Sequence, residues 1–245
     1  MQTSEFVEKL NSYLDIASFV DFCPNGLQVE GKKEVRRAAT AVSANLQTIE
    51  QAVALKVDAL LVHHGLFWTK DPYLITGTKR KKLALLLENN ISLLAYHLPL
   101  DGHREIGNNW HAAERLGWKE LEPFEQIGVK GTFSPLPIDQ FVEILEDFYE
   151  HKATVALGGK KEVSSAALIS GGAYRTLLDA VREGIDCFIT GNFDEPAWSW
   201  AMEENMHFLA MGHSASERIG PRALAQYVER SCQIDCSFLD VANPF

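Results

Sequence analysis

Three short segments of the chain carry the residue types that bind divalent metal ions. They are His63-His64-Gly65, the stretch YHLPLDGH over residues 96–103, and the stretch GHSASERIG over residues 212–220. Each follows an apolar run that predicts a β-strand. Because open α/β sheets bind ligands outside the carboxyl ends of their strands, the three positions predict a common site.

The donor atoms in these segments suit first-row divalent ions. His63, His64 and His213 offer nitrogen, whereas Asp101 and Glu217 offer oxygen. A carboxylate can span two ions roughly 3.5–4 Å apart and offset part of their charge. Histidine with carboxylate favours zinc, iron, manganese, nickel or cobalt and disfavours calcium. The segments together predict two divalent metal ions per subunit.

Each segment taken alone also has an ordinary structural explanation. A histidine pair can make hydrogen bonds only, Asp101 can cap the helix that follows it, and a histidine four residues before a glutamate is a common chance spacing. Ser214 or Ser216 is expected to cap the helix that begins near His213. The coincidence of three such segments at the ends of strands that should be neighbours is what favours a metal site.

The remaining histidines fall into two groups. His97 lies beside the predicted ligands and is the candidate for proton transfer if it stays outside the coordination sphere. The other four, His103, His111, His151 and His207, are expected to be surface histidines or hydrogen-bonded core histidines.

Several aromatic, basic and glycine residues elsewhere in the chain are expected to have structural roles. Phe67-Trp68 is expected to pack, with a face for stacking a purine as the alternative. The basic run 79–82 is expected to be a solvated helix face; the alternatives are attraction of a phosphate-bearing substrate or the lining of a pore. The glycine pairs 158–159 and 171–172 lack phosphate-binding patterns and predict turns.

The composition limits the classes of function. The chain has 245 residues, with 33 acidic and 23 basic side chains and a net charge of −10. This balance disfavours a surface that coats nucleic acid or anionic membrane. We expect neither a signal peptide nor a membrane span, since no apolar run approaches about 18 residues. The four cysteines form no C-x-x-C pair, so we expect buried free thiols in a reducing cytoplasm.

Short apolar runs alternate with amphipathic stretches along the chain, which predicts an α/β fold. Helices are predicted over residues 3–14, 46–56, 78–90, 106–116, 138–150, 173–183, 195–205 and 214–229. Strands are predicted over residues 35–42, 58–63, 91–97, 128–134, 152–157, 164–170, 185–190, 206–211 and 233–240.

Two internal echoes predict a duplication. Residues 38–64 align with residues 166–192 at a constant offset, and residues 88–95 align with residues 203–210. Shared small and apolar patterns of unrelated α/β units are the alternative explanation. We predict two related α/β halves. They are residues 1–125, with His63, His64 and Asp101, and residues 126–245, whose C-terminal part returns His213 and Glu217 to a shared site.

Five motifs make nearly the whole chain resemble a known family. They are PNGLQVEG (24–31), VHHGLFW (62–68), HLPLDGHREIGNN (97–109), GHSASERIG (212–220) and the ending DVANPF. The sequence is similar to the GTP cyclohydrolase 1 type 2 homolog family, also called the NIF-three-like family. The resemblance implies two intertwined, duplicated α/β units, with mixed sheets flanked by helices, and a ring-shaped homohexamer.

The resemblance also implies a dinuclear metal site and a distribution of its ligands. His63, His213 and Glu217 would hold one ion. His64, Asp101 and the shared Glu217 would hold the other. The five positions match the family motif without departure.

The expected function is metal-dependent hydrolysis of a nucleotide or a related small anionic substrate through a metal-bound hydroxide. The family's name implies attack on the imidazole ring of GTP, although function follows the site and not the fold. The alternative is a ring-shaped metal-binding scaffold without hydrolase activity. It would interact with nucleic acid in DNA repair or handle metal ions. The acidic chain makes nucleic acid the less favoured partner, and no membrane partner is expected.

Overall fold

The computed structural model describes residues 1–245. The chain folds into two compact units. The first unit comprises residues 1–100 and 220–242, and the second comprises residues 101–219 and 243–245. The chain therefore passes from one unit to the other three times, so each unit is formed from two separate segments of the sequence.

These units do not follow the predicted halves along the chain. Asp101, expected in the half that ends at residue 125, belongs to the second unit. The segment 220–242, expected in the other half, belongs to the first unit because its strand joins the first sheet. The boundary at residue 125 was inferred from the sequence repeat and stays a prediction. The two units are defined by contacts in the folded structure.

The structure contains eleven strands and ten α-helices. The strands are β1 (Gly26–Val29), β2 (Arg37–Ser43), β3 (Ala59–His64), β4 (Ser92–Ala95), β5 (Lys119–Phe124), β6 (Gly128–Pro137), β7 (Thr154–Leu157), β8 (Glu162–Leu168), β9 (Cys187–Thr190), β10 (His207–Ala210) and β11 (Asp235–Phe238). The α-helices are α1 (Thr3–Tyr13), α2 (Leu46–Ala54), α3 (Gly77–Glu88), α4 (Leu98–Gly102), α5 (Trp110–Arg115), α6 (Ile138–Tyr149), α7 (Leu177–Arg182), α8 (Glu195–Glu203), α9 (His213–Ser216) and α10 (Ile219–Tyr227). None of these helices combines the length and the apolar character that crossing a lipid bilayer requires.

The helices and strands predicted from the sequence are found, with ends that shift by a few residues, except for the predicted helix 214–229. The prediction missed β1, β5 and α4. Strand β5 has the sequence KELEPF, whose charged side chains are mostly exposed and carry no apolar pattern. The helix predicted over residues 214–229 is wrong as a single element, because α9 and α10 are separate helices.

The first unit is built on a five-stranded mixed sheet with the order β1-β4-β3-β2-β11. Strands β4, β3, β2 and β11 are parallel, and β1 pairs antiparallel with β4 at the edge. The central strand β3 is buried over nearly its whole length. Strands buried on both faces are typical of parallel sheets covered by helices.

The second unit has a six-stranded mixed sheet with the order β5-β6-β8-β9-β10-β7. Strands β8, β9 and β10 are parallel, and β7 pairs antiparallel with β10. The three parallel strands and their antiparallel edge repeat the arrangement of β2, β3, β4 and β1. Strands β5 and β6 extend this sheet and have no counterpart in the first unit.

Matching side chains fix the same backbone in both units. The buried carboxylate of Asp58 accepts hydrogen bonds from the backbone N–H groups of Arg36 (2.9 Å) and Arg37 (3.0 Å). In the second unit Asp186 accepts from the backbone of Ser164 and Ser165 at 2.9 and 3.2 Å. The offset of 128 positions equals that of the sequence echo. The structure thus repeats a specific contact and not only a pattern of apolar residues.

A further echo joins α1 and α6, the helices that precede β1 and β7 in the chain. Phe6 and Leu10 of α1 are buried, as are Phe141 and Leu145 of α6. The first residue of each helix donates its N–H to a lysine carbonyl, Lys33 in one unit and Lys161 in the other. The sequence analysis missed this match because its offset differs from that of the strands.

We predict that Asp58→Asn lowers the free energy of unfolding at pH 7 by about 1–3 kcal/mol. Burial raises the pKa of Asp58, but the Lys32 ammonium at 2.6 Å and two backbone N–H groups outweigh it, so this pKa lies below its usual value. The stabilisation is present above the unfolded-state pKa and is lost as the pH falls through the folded-state pKa. In denaturant unfolding, the difference in unfolding free energy between wild type and Asp58→Asn should therefore become smaller below about pH 4.

The matched control is Asp139→Asn, because Asp139 is exposed at the start of α6. It should leave the unfolding free energy within about 0.5 kcal/mol of wild type. An Asp58→Asn variant as stable as this control at pH 7 would contradict the proposed contact.

Candidate metal centre

The structure presets the buried histidine of the His-His pair for metal binding. His63 is the penultimate residue of β3 and is fully buried. Its Nδ1 lies 3.0 Å from the carbonyl oxygen of Tyr96. A carbonyl only accepts, so Nδ1 carries the hydrogen and Nε2 carries the lone pair. This is the arrangement found in metal-ligating histidines.

His64 and His97 join His63 in a cluster at the carboxyl end of the first sheet. The ring centroid of His63 lies 4.6 Å from that of His64 and 5.0 Å from that of His97. Nitrogen atoms of the three rings lie within 4.8 Å of one another. The Nδ1 of His64 is hydrogen-bonded to the hydroxyl of Ser43 at 3.0 Å. The first unit therefore concentrates imidazole ligands at one strand end.

The two aromatic residues after this pair have different roles. Phe67 packs against the core of the first unit, as expected. The ring of Trp68 lies edge-on to His97, with centroids 5.0 Å apart, and 5.8 Å from His64. Packing is thus the right prediction for Phe67, whereas Trp68 forms a wall of the histidine cluster.

A carboxylate that the sequence analysis did not single out orients His97. The Nδ1 of His97 donates to Oδ1 of Asp21 at 2.7 Å, and the backbone N–H of Leu98 donates to the same carboxylate at 3.0 Å. Burial raises the pKa of Asp21, but the bonds from His97, Asn25 and Leu98 outweigh it and lower the pKa to about 2. Asp21 is therefore ionised at neutral pH and fixes the ring orientation of His97.

The PNGLQVEG motif holds the backbone around these histidines. The side chain of Asn25 accepts the backbone N–H of His97 at 2.8 Å, and Oε1 of Gln28 accepts that of Leu66 at 2.9 Å. A Cβ at Gly65 would lie 2.3 Å from Gln28 Oε1. It would also lie 2.7 Å from the Cβ of Ala95, so a larger residue after the histidine pair would displace Gln28 and crowd β4.

One of the four cysteines, Cys23, lies beside this cluster. All four are buried and free, as expected. Cys23 lies within 4.8 Å of the ligand atoms of Asp21 and His97. Burial, and then the charge of Asp21, raise the pKa of Cys23 to about 12, so it remains a thiol at neutral pH.

In the second unit, a buried network positions Asp101. Its Oδ1 accepts from Nδ2 of Asn108 and from the hydroxyl of Ser170, each at 2.8 Å. The neighbouring Asn109 accepts the backbone N–H of Ser170 at 2.7 Å. Asp101 lies within α4 and accepts from side chains, so the helix-capping explanation for it is wrong.

His213 and Glu217 form a close pair in the same unit. Glu217 is 2% exposed, and its Oε1 lies 3.2 Å from Nε2 of His213. The Nδ1 of His213 donates to the side-chain oxygen of Asn192 at 3.0 Å. In the neutral ring Nε2 then presents a lone pair toward a carboxylate oxygen, an arrangement that a shared cation stabilises. The carboxylates of Asp101 and Glu217 also lie within 4.8 Å of each other.

Gly171 and Ser216 contact the pair of His213 and Glu217. Gly171 has φ +69°, and a Cβ there would lie 2.4 Å from Glu217 Oε1. The hydroxyl of Ser216 accepts the backbone N–H of Gly171 at 3.0 Å and donates to the carbonyl of His213 at 2.9 Å. Ser216 therefore ties the ends of β8 and β10 together, and neither it nor Ser214 caps α9, whose N-cap residue is Gly212.

The donor sets fit divalent metal ions in both units. The first unit offers imidazoles whose orientation is fixed by hydrogen bonds, and the second offers two buried carboxylates and a further imidazole. Nitrogen and carboxylate oxygen are ligands of zinc, iron, manganese, nickel and cobalt. The residues that can hold such ions are His63, His64 and His97 in the first unit and Asp101, His213 and Glu217 in the second.

Three of the other histidines make ordinary hydrogen bonds. His103 accepts the backbone N–H groups of Glu105 and Ile106. His151 and His207 bond to backbone carbonyls. For His111, burial and then the charge of Arg115 lower the pKa. These four positions agree with the expectation of surface or core histidines.

The comparison with known proteins now places the chain in a family. A family model described as Duf34/NIF3 (NGG1p interacting factor 3) matches residues 1–244. The chain therefore belongs to the Duf34/NIF3 family, which confirms the resemblance found in the motifs.

Individual relatives match over full length. The chain is 50% identical over 251 residues to a "GTP cyclohydrolase 1 type 2 homolog" of Chlamydia pneumoniae and 51% identical over 251 residues to that of Chlamydia trachomatis, covering 100% of both partners each time. A solved structure described as protein ybgI, of unknown function, superimposes with a TM-score of 0.97 at 37% identity, with complete coverage of both chains. The mixed α/β fold is thus that of the family.

We predict that Gly171→Ala displaces Glu217 and reduces the metal that the purified protein retains to less than about half, since ligand geometry sets metal affinity. Elemental analysis of metal per chain measures this. Gly184→Ala is the matched control. Its φ of +70° imposes the same backbone strain, but no atom lies within 4 Å of the new Cβ. Equal metal content in the two variants would contradict the role of the Gly171 contact.

Proposed function

We propose that the chain is a metal-dependent hydrolase that acts on a nucleotide or a related small anionic substrate. The observation that carries the proposal is the preset ligand state within each unit. Imidazoles are oriented through Nδ1, and buried carboxylates are held by hydrogen-bond donors. Such orientation by neighbouring groups is typical of catalytic metal sites.

The resemblance to the family supplies the proposed distribution of two ions. His63, His213 and Glu217 would hold one ion, and His64, Asp101 and Glu217 would hold the other. The carboxylates of Asp101 and Glu217 offset part of the positive charge, so the site remains positive and attracts an anionic substrate. When bound, two divalent ions lower the pKa of a water molecule and stabilise negative charge on the group under attack.

The protein's own residues supply the proton transfer. His97 donates from Nδ1 to the ionised Asp21, which leaves the lone pair of the neutral ring on Nε2 as the proton acceptor. The ring of Trp68 packs edge-on against His97 and forms one wall beside it. A histidine held by a carboxylate is a common general base.

The names of the relatives support the substrate class without defining the reaction. The relatives are named for homology to a GTP cyclohydrolase. Opening of the purine imidazole ring, phosphoester hydrolysis and amide hydrolysis would use the same donors. The metal identity within the set zinc, iron, manganese, nickel and cobalt is equally open to experiment.

The test combines elemental analysis with a nucleotide screen of the purified protein. Wild type should carry two ions per chain and convert at least one nucleotide to a product resolved by chromatography. Glu217→Gln keeps the side-chain shape and removes the charge that both ions share. It should lose most bound metal, and its rate should fall by about 100-fold or more.

Glu203→Gln is the matched control because Glu203 is exposed at the end of α8. It should keep the metal content and the rate of wild type. Full activity of Glu217→Gln after loss of both ions would show that the reaction does not use this centre.

The alternative is a metal-binding scaffold without hydrolase activity. It would leave every nucleotide unchanged while the chain retains its two ions. Nucleic-acid binding that weakens steeply with salt would then favour the scaffold.

A further inference from the structure

One segment of the first unit concentrates positive charge on an acidic protein. Residues 69–82, here called the cationic segment, contain five lysine or arginine residues and one acidic residue, against a net charge of −10 for the chain. None of the five, Lys70, Lys79, Arg80, Lys81 and Lys82, is paired with a carboxylate. Like charges so close in sequence repel one another, so an anion bound there would be stabilised.

Aromatic and apolar side chains are exposed on the same segment. Tyr73 is 97% exposed and Leu74 is 73% exposed. The neighbouring loop adds Phe22, which is 66% exposed. Exposed aromatic rings beside unpaired cations are the combination that recognises a planar base attached to phosphate.

Hydrogen bonds join this segment to the histidine cluster. Both the backbone N–H and the hydroxyl of Thr69 donate to the carbonyl of Phe22, at 2.8 and 2.6 Å. Phe22 follows Asp21, the partner of His97, and Thr69 follows Trp68, whose ring lies against His97. The exposed residues are therefore continuous with residues that surround the histidines.

Lys79 is held in place beside the same residues. Its ammonium lies 5.1 Å from the ring centroid of Phe67 and donates to the carbonyl of Pro72 at 3.4 Å. Phe67 directly precedes Trp68, and Lys70 lies two residues after Trp68. Lys79 therefore lies beside the aromatic pair that includes Trp68, and Lys70 follows that pair closely in the chain.

We propose that this surface binds the nucleotide portion of the substrate. The base stacks on aromatic rings, and the phosphates bind to cations. The residues involved are Phe22, Trp68, Lys70, Tyr73, Lys79 and Arg80. The assignment of the ligand as a substrate rests on the proposed function, whereas the binding surface itself does not.

The charge distribution favours a single nucleotide over an extended polyanion. The net charge of −10 repels a long nucleic acid or an anionic membrane along the rest of the surface. A mononucleotide interacts mainly with the lysine and arginine side chains near it, because charges beyond about 10 Å are screened at moderate salt.

The test is isothermal titration calorimetry of the full-length protein with GTP, guanosine and tripolyphosphate. The double variant Lys70→Ala/Lys79→Ala should weaken GTP and tripolyphosphate about 100-fold, or about tenfold for each charge-assisted contact, and leave guanosine unchanged. Tyr73→Ala should weaken GTP and guanosine about tenfold and leave tripolyphosphate unchanged.

The matched controls are Lys161→Ala and Trp198→Ala, which change exposed residues of the second unit. Both should bind all three ligands as wild type does. Undetectable GTP binding, or equal affinities in test and control variants, would overturn the subsite. Tighter binding to a thymidine oligonucleotide or to vesicles containing phosphatidylserine than to GTP would overturn it in favour of a polymer or a membrane.

The two proposals fail separately in these experiments. If GTP binds through Lys70, Tyr73 and Lys79 but is never converted, the binding subsite is supported and the hydrolase function is contradicted. Conversion at the wild-type rate and affinity by the Lys70→Ala/Lys79→Ala variant removes the subsite and leaves the hydrolase function intact.

Discussion

The structure depends on keeping charged and metal-binding side chains buried at the ends of apolar strands. An uncompensated buried charge costs about 3–5 kcal/mol, so every such group needs a defined partner. Asp101 receives two hydrogen bonds on one oxygen, and the close pair of Glu217 and His213 favours a shared cation. Asn109 and Ser216 hold the backbone of Ser170 and Gly171, and so help to position these partners.

Duplication explains how one architecture supplies different donors. Each unit has three parallel strands with an antiparallel edge, and each uses an aspartate to fix the start of its first parallel strand. The site residues follow corresponding strands: His63 and His64 end β3, whereas Gly191 and Asn192 follow β9. One copy thus places candidate metal ligands here, whereas the other places Gly191 close to the backbone of Gly171 and Asn192 beside His213.

Most helices and strands were predicted correctly from the sequence, and ligand candidates could be selected from it, because both leave local patterns. Periodicity defined the helices and strands, and the family motifs singled out His63, Asp101 and Glu217. The supporting residues leave no such pattern. Asp21 lies 76 positions from His97, and Ser170 lies 69 positions from Asp101. Only folding brings such residues together, and the same holds for the contact of Gly171 with Glu217.

Anomalous diffraction from crystals of the metal-loaded wild-type protein tests the central claim most directly. Data collected on both sides of the absorption edge of the bound metal locate each ion without assumptions about its ligands. The account predicts two anomalous peaks per chain, coordinated by His63, His64, Asp101, His213 and Glu217. Peaks at other residues only, or no peak at these five, would contradict it.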